Sequence, residues 1–419
     1  MSRHVEPVLV TGASGFVGAN LARRPVTIPK RIVLASHILV TGPAQELHRY
    51  LLDKCETLVY VHHPLQPFTP MGDHRSVCER YLRGQLVTQR SWAQWALSQM
   101  AVSELLLFAW HTWLTFWWGV WQGWGSDVFI GINPLNAFVG VILRRLGVVH
   151  SVVYKTIDYV PDRFTNHRVN AFYHWVDRAA VAGCDQVWNL SSRMVAAREA
   201  RGVPPRYRAK QVTVPIGTDL RVVPKSANQV ERHTVVYFGG LIEKQGVQLG
   251  IEALPVVRQQ VPAARLRIIG GGQPAWAEVL RRLAESLGVS DAVEFTGIID
   301  DHEEALARLA ECAVGIAPYT DDSENYTQYT DPGKPKAYLA AGLPVVLTNV
   351  PEVARIIEQA GAGFIVPYRS EALAEALVRL LTDDELFDAC KRRARTLAEQ
   401  YDWNLVFDRA FAALGATRR

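Results

Sequence analysis

Thr330–Thr348, TDPGKPKAYLAAGLPVVLT, decides how this chain is read. It opens as a polar loop carrying Asp331 and Lys334, continues as a short helix ending near Gly342, and closes as a buried strand from Pro344 to Leu347. A helix start presents unpaired N–H groups and a partial positive charge, so it suits an anionic ligand. Lysines beside it would add charge for a diphosphate.

Upstream of this segment, apolar runs bounded by glycine or proline alternate with longer helical stretches, the rhythm of parallel α/β units. TVVYFGGL from Thr234 reads as a strand and glycine turn, Gln248–Gln260 as a helix, and ARLRIIGGG as a strand running into a glycine loop. Trp276–Leu287, VEFTGII, EEALARLAEC and VGIAPY continue the alternation. In Gly239-Gly240-Leu241-Ile242-Glu243-Lys244-Gln245-Gly246 the glycines would let a ligand approach the backbone, and Lys244 could neutralise a phosphate. Gly271 and Gly272 end the next strand in the same way. A turn between strand and helix also takes glycine for its own geometry, so both readings stand.

Together these three features resemble the donor half of GT-B glycosyltransferases, especially the retaining family-4 group. The match covers Lys334, YLAAGLPVV and the loop before it. The resemblance implies an α/β fold of two Rossmann-like doubly wound domains facing a cleft. It also implies transfer of a sugar, with retention and without metal or cofactor, from a nucleotide-sugar donor to a glycan or lipid-linked acceptor. Gly239, Gly240, Lys244, Gly271, Gly272, Asp331 and Lys334 would bind the donor, with its base near Gly297 to position 300. The chain departs from the family at four positions. Gly240 and Gln245 stand where Arg and Lys are usual, and Ala337 and Tyr329 where two acidic residues are usual; Asp331 or Glu324 would have to supply a carboxylate. No DxD triplet occurs, which fits enzymes that stabilise a leaving diphosphate with helix dipoles and basic side chains. A GT-B-like nucleotide-sugar epimerase and a non-catalytic sugar-nucleotide binder are the alternatives.

The first half has the same rhythm. Ile32–Val40, Thr57–Val61, Asp127–Ile132, Ser151–Tyr154, Gln186–Leu190 and Gln211–Pro215 read as strands, with HHPLQPFTPMG as a loop after the second. The expected division is a leader over 1–29, an acceptor domain over 30–218, a donor domain over 219–395, and a last helix over 396–419 crossing back to the first domain. Gly42 and Gln45, in the turn after the first strand, are acceptor-side candidates or simply a helix-capping turn. Asn133 and Asp158 sit at strand ends, where a doubly wound sheet puts its ligands. Asp158 is the catalytic candidate, against the plainer reading of a loop carboxylate capping a helix. His62 and His63 are adjacent and so point apart, which disfavours a metal pair.

Eight of the twelve tryptophans lie between Trp92 and Trp124, and Leu105 to Ser126 carries no formal charge. Trp110, Trp113, Trp117, Trp121 and Trp124 recur at helical spacing. Three readings compete: an interfacial helix on a membrane, a covered core helix, and a true span. Val8–Arg24, VLVTGASGFVGANLARR, resembles the nucleotide-binding start of extended short-chain dehydrogenases and sugar epimerases through Gly12, Gly15 and Gly18. Its helix stops at Pro25, and the one Tyr-x-x-x-Lys noted, Tyr50 to Lys54, comes too early for that family's catalytic pair. A remnant competes with an NAD site.

With 419 residues, 49% hydrophobic and 21% charged, the chain can bury two cores. A net charge of +4 gives no case for nucleic acid. Five scattered cysteines without a CxxC pair suggest neither zinc nor disulfides, and a reducing cytosol is the expected location. No secretory signal is visible at the start.

Overall fold

The structure, a computed structural model, describes residues 26–38, 42–64, 75–93, 104–221, 230–299 and 301–417. The chain forms two compact units: residues up to Pro215 together with those from Phe407 on, and Ile216–Val406. The sequence expectation sets the last division at 395/396. The helix Asp384–Ala398 stays in the second unit because Phe387, Cys390, Ala394 and Leu397 are buried in its cores. Only the last helix, Trp403–Thr417, runs into the first unit, from Phe407.

The first unit is an eight-stranded sheet. Its strands are β1 (Arg31–Ile38), β2 (Thr57–Pro64), β3 (Arg75–Leu82), β4 (Gln85–Ala93), β5 (Ser126–Ile132), β6 (Val149–Lys155), β7 (Gln186–Asn189) and β8 (Gln211–Thr213). The order is β4-β3-β2-β1-β5-β6-β7-β8. Six strands are parallel, and β3 and β4 form an antiparallel hairpin on one edge. The sequence reading missed this hairpin. Its signal was the Arg83-Gly84 turn, where both residues take positive φ as a two-residue hairpin requires. His62 and His63, expected in a loop, continue β2.

α1 (Pro43–Leu52) follows β1, and α2 (Glu104–Gln122) precedes β5. α3 (Pro134–Arg145), α4 (His167–Gly183) and α5 (Arg193–Ala200) complete the first unit's helices before the last one. Alternation along the strands sends Val33, Ala35, Phe129 and Val152 to one face, where they pack with Leu114 and Trp118 of α2, Val141 of α3 and Ala180 of α4. On the opposite face Tyr50 of α1 stacks on Phe411 of the last helix, and Trp188 of β7 meets the same ring edge-on.

The second unit is a six-stranded parallel sheet. It comprises β9 (Glu231–Phe238), β10 (Arg265–Ile269), β11 (Val293–Gly297), β12 (Cys312–Ala317), β13 (Val345–Thr348) and β14 (Gly363–Val366), in the order β11-β10-β9-β12-β13-β14. Its helices are α6 (Val247–Gln260), α7 (Pro274–Ser286), α8 (His302–Ala310), α9 (Gly333–Ala341), α10 (Val353–Gln359), α11 (Ser370–Thr382) and α12 (Asp384–Ala398). Val235 and Tyr237 face the layer containing α6, α7 and α11, and Val236 faces that of α8, α9 and α10. The opening segment folds as read: α9 closes on Gly342 in the left-handed conformation, and β13 is buried throughout.

β9 lies between β10 and β12, so the chain reverses its winding there and the carboxyl ends of β9 and β12 splay apart. Tyr338 of α9 bridges that gap. Its hydroxyl accepts from Phe238 N–H at 2.8 Å and donates to Ile316 C=O at 2.9 Å. Its ring needs Gly315 beneath it, since a Cβ there would come within 2.5 Å. Tyr338→Phe keeps the ring but strands both backbone groups. It should cost about 1–3 kcal/mol in the second unit's unfolding transition, followed by urea denaturation; an unchanged midpoint would show the bridge to be energetically idle.

Candidate functional site

The second unit's site forms at the β9/β12 divergence. Gly239, just past β9, has φ +134, and a Cβ there would sit 3.1 Å from Lys334 Cε. Lys334 lies in the first turn of α9. Its ammonium is 3.8 Å from the centre of the Tyr237 ring, 5.2 Å from that of Tyr319, and donates to Gln245 Oε1 at 3.2 Å. No carboxylate among the described residues pairs with it. Burial alone pushes its pKa well below that of an ordinary lysine. Above it, the Tyr319 hydroxyl is buried without a hydrogen-bond partner. Pro332 caps α9 with no side-chain bond to the first-turn N–H groups. A cation, a hydroxyl and a helix start therefore share one strand-end crevice, with their capacity for an anion unspent.

The other donor-side candidates fare unequally. Gly240 is exposed beside Gly239, with room at its Cα. Gly271 and Gly272 are packing glycines: a Cβ on either would meet Ile298 at 2.5 Å or Leu241 O at 2.3 Å. Two candidates are held by neighbouring side chains. Lys244 turns away to Glu324 at 3.3 Å and Asp322 at 3.6 Å, so it and Glu324 neutralise each other. Asp331 is buried, paired with Lys336 Nζ at 3.0 Å while accepting from Ile216 N–H at 2.8 Å. It anchors the loop rather than facing a ligand. Gln245, standing where the family has lysine, holds Lys334 in place. Sequence reading missed Tyr237 and Tyr319, which looked like ordinary strand-end apolar residues.

The first unit has the same topological switch between β1 and β5, with different chemistry. Asn133 follows β5 at φ +76, costly for a residue other than glycine. Its Oδ1 accepts from Asn136 N–H at 3.0 Å, which turns its Nδ2 to donate to His37 Nδ1 at 2.9 Å. His37 therefore carries its proton on Nε2 and donates to His111 Nδ1 at 3.2 Å. Next to this pair His63 stacks on His111 and bonds Ser76 Oγ at 2.9 Å and Thr115 Oγ1 at 2.8 Å. All three rings are buried. Burial lowers the pKa of His37 to about 4 and of His111 to about 3, and with the neighbouring rings drives His63 well below its usual value. The network is a neutral one.

Phe108 leads from it to the surface, set edge-on to His37. Phe108 helps line a cavity of about 310 Å³ with Leu105, Phe164, Thr165, Asn166 and Val169. The expected acceptor-side residues are dispersed around this edge. Gly42 is the N-cap of α1, its carbonyl accepting from Glu46 N–H at 3.1 Å. Neither amide atom of Gln45 has a partner, although both are buried. Arg163 holds the Asp158 carboxylate in an ion pair. His62 lies 3.6 Å from Glu79. Lys155 was missed. It ends β6 fully buried, unpartnered, 5.7 Å from the centre of the Phe407 ring, and its pKa is lowered by burial to about 7. A charged residue closing an apolar strand was its only sequence signal.

Among the described residues no group of three or more His, Cys, Asp and Glu side chains is placed to hold a metal ion. No helix among them is long and apolar enough to cross a membrane. The spanning reading of α2 fails because the helix buries His111, Leu114, Thr115 and Trp118 in its own unit. The Val8–Arg24 motif lies outside the described residues, as do positions 94–103 of the tryptophan-rich stretch.

Residues 232–383 match the family model described as glycosyl transferases group 1. The chain is 29% identical over 304 residues to the putative colanic acid biosynthesis glycosyltransferase WcaL of Escherichia coli, covering 69% of this chain and 70% of that protein. It is 31% identical over 185 residues to a GDP-mannose-dependent alpha-(1-6)-phosphatidylinositol monomannoside mannosyltransferase of Mycobacterium tuberculosis, covering 42% and 46%. Anabaena HepE, solved with UDP-glucose, superposes with a TM-score of 0.64 at 17% identity over 92% of this chain and all of that one. Sucrose-phosphate synthase from Thermosynechococcus elongatus gives 0.63 at 19%, over 93% and 98%. The epimerase resemblance of Val8–Arg24 is not borne out by these relatives.

The three buried histidines fix a pH dependence. Each is held neutral when folded but takes up a proton near 6.5 when unfolded, so the unfolded state binds more protons below that value. Stability should be full above about pH 6.5 and fall as pH drops toward about 4. Urea midpoints at about pH 7.5 and about pH 5 read this directly. His111→Gln should flatten the slope, and an equal slope in wild type and variant would contradict the assignment.

Proposed function

We propose that the chain is a glycosyltransferase carrying a group 1 domain on a GT-B fold, and that it moves a sugar from a nucleotide-sugar donor to a glycan or lipid-linked acceptor with retention of configuration. The observation that carries this reading is Lys334. A partly buried ammonium with no carboxylate partner is unfavourable until an anion arrives. The diphosphate of the donor supplies that anion at the crevice between β9 and β12, with Lys334 and the start of α9 on its oxygens and the Gly239-Gly240 backbone alongside.

Bond breaking leaves negative charge on the departing diphosphate. The Lys334 ammonium and the first-turn N–H groups stabilise it there without a divalent cation, and they act most strongly where water is excluded. The acceptor is bound by the first unit. His37 and Asn133 form a rigid, uncharged floor there, and the adjoining cavity gives room for the acceptor. The mycobacterial relative is GDP-mannose-dependent and named for an alpha linkage, which supports retention. The acceptor's class favours a peripheral position on the inner face of the cytoplasmic membrane.

Thermal-shift measurements with UDP-, GDP-, ADP- and dTDP-sugars should identify one preferred donor. Lys334→Ala should then weaken that donor by roughly 10- to 150-fold in titration calorimetry, the worth of about 1.5–3 kcal/mol for a charged hydrogen bond. Because free Lys334 has a depressed pKa and a bound diphosphate raises it, wild-type binding should be accompanied by proton uptake. Affinity should fall as pH rises through the raised value. Calorimetry in two buffers of different ionisation enthalpy measures the uptake, and its persistence in Lys334→Ala would place the diphosphate elsewhere.

A further inference from the structure

α2 has two faces. His111, Leu114, Thr115 and Trp118 are buried against the first unit's sheet. On the opposite stripe Trp113, Trp117 and Trp121 are 45%, 48% and 54% exposed, and Trp124 just beyond the helix is 65% exposed. Leu105 and Leu106 extend the stripe at the other end. Monomeric proteins rarely leave so many large apolar side chains contiguous in water.

The hairpin that the sequence concealed continues this surface. The Trp92 ring meets Trp110 edge-on at 5.9 Å, and the Arg90 guanidinium lies 5.4 Å from the centre of the Trp121 ring. Register places the charges. Arg90 pairs with Cys78 and Trp92 with Ser76, and Cys78 belongs to the core beneath α2. Alternation therefore puts Arg80, Thr88, Arg90 and Trp92 on α2's side of the sheet. Glu79 and Gln89 project to the other side, where Tyr81 and Gln89 hold the carboxylate and His62 lies beside it. The exposed face thus combines tryptophans with Arg80 and Arg90, both exposed, and the hairpin adds no carboxylate to it.

We infer that this face, α2 together with the β3–β4 hairpin, docks on an anionic lipid surface, with α2 parallel to the bilayer plane. It deepens the peripheral placement proposed above and rests on it only for its biological setting. Tryptophan rings favour the headgroup boundary, being half apolar and half wet. Arginines beside them meet lipid phosphates and select anionic lipids. A second copy is the poorer occupant: two-fold packing would set Arg90 near its own equivalent with no carboxylate on the hairpin face to offset the repulsion.

The test is flotation of the full chain with phosphatidylcholine vesicles, with and without phosphatidylglycerol. The wild type should float with the anionic vesicles at least about tenfold better than with the zwitterionic ones. Trp113→Ala/Trp117→Ala/Trp121→Ala should lose flotation on both. Arg80→Gln/Arg90→Gln should lose the anionic preference. Both variants should keep the wild-type thermal shift with the preferred donor, so a failure to float is separable from a failure to fold or to bind donor. A wild type that floats with neither vesicle, or a triple variant that floats like the wild type, overturns the inference. So does a wild-type dimer by light scattering that the triple variant dissolves, which would make the face a contact between copies.

Discussion

The Lys334 ammonium over Tyr237, without an opposing carboxylate, is the constraint around which the second unit is arranged. A cation so placed is tolerated only if its surroundings are fixed by something else. Tyr338 bridges the diverging strands through its hydroxyl, the Gln245 side-chain oxygen accepts a hydrogen bond from the ammonium, and the Asp331–Lys336 pair secures the loop leading into α9. Each of these acts through position. On the reading proposed above, the charge at the crevice is left for the ligand, and the leaving group of glycosyl transfer is a ligand that needs it.

The first unit uses the same topological device for the opposite electrostatic end. Where β1 and β5 part, Asn133 is held at an unfavourable φ by bonds to Asn136 and His37, and the histidines behind it stay neutral because all three rings are buried. A floor of neutral donors and acceptors suits sugar hydroxyls, which need hydrogen bonds and carry no charge. The asymmetry between a cationic crevice in one unit and a neutral one in the other matches a reaction in which one substrate is a diphosphate and the other an alcohol.

Much of the second unit was legible because its strands are compact apolar runs, β9, β10 and β11 closed by glycine, and YLAAGLPVV carries its tyrosine, helix stop and buried strand in sequence. The β3–β4 hairpin was not, since an edge ribbon exposed to water has polar residues interleaved along its length and lacks an apolar run to announce it. The site candidates that the fold pairs share one feature. Lys244, Asp331 and Asp158 have the right charge in the right loop, but a charge is available only if no partner claims it. The partners, Glu324, Lys336 with Ile216 N–H, and Arg163, are assigned by the fold. The histidine network was invisible for a related reason, because His37, His63, His111 and Asn133 come from four separate segments.

The most direct test of the account is a crystal structure of the full chain with its preferred nucleoside diphosphate. The distal phosphate should lie at the start of α9 with an oxygen about 2.7–2.9 Å from Lys334 Nζ, as a charged N–H···O bond requires. A phosphate seated on Lys244, or away from the β9/β12 crevice altogether, would contradict it.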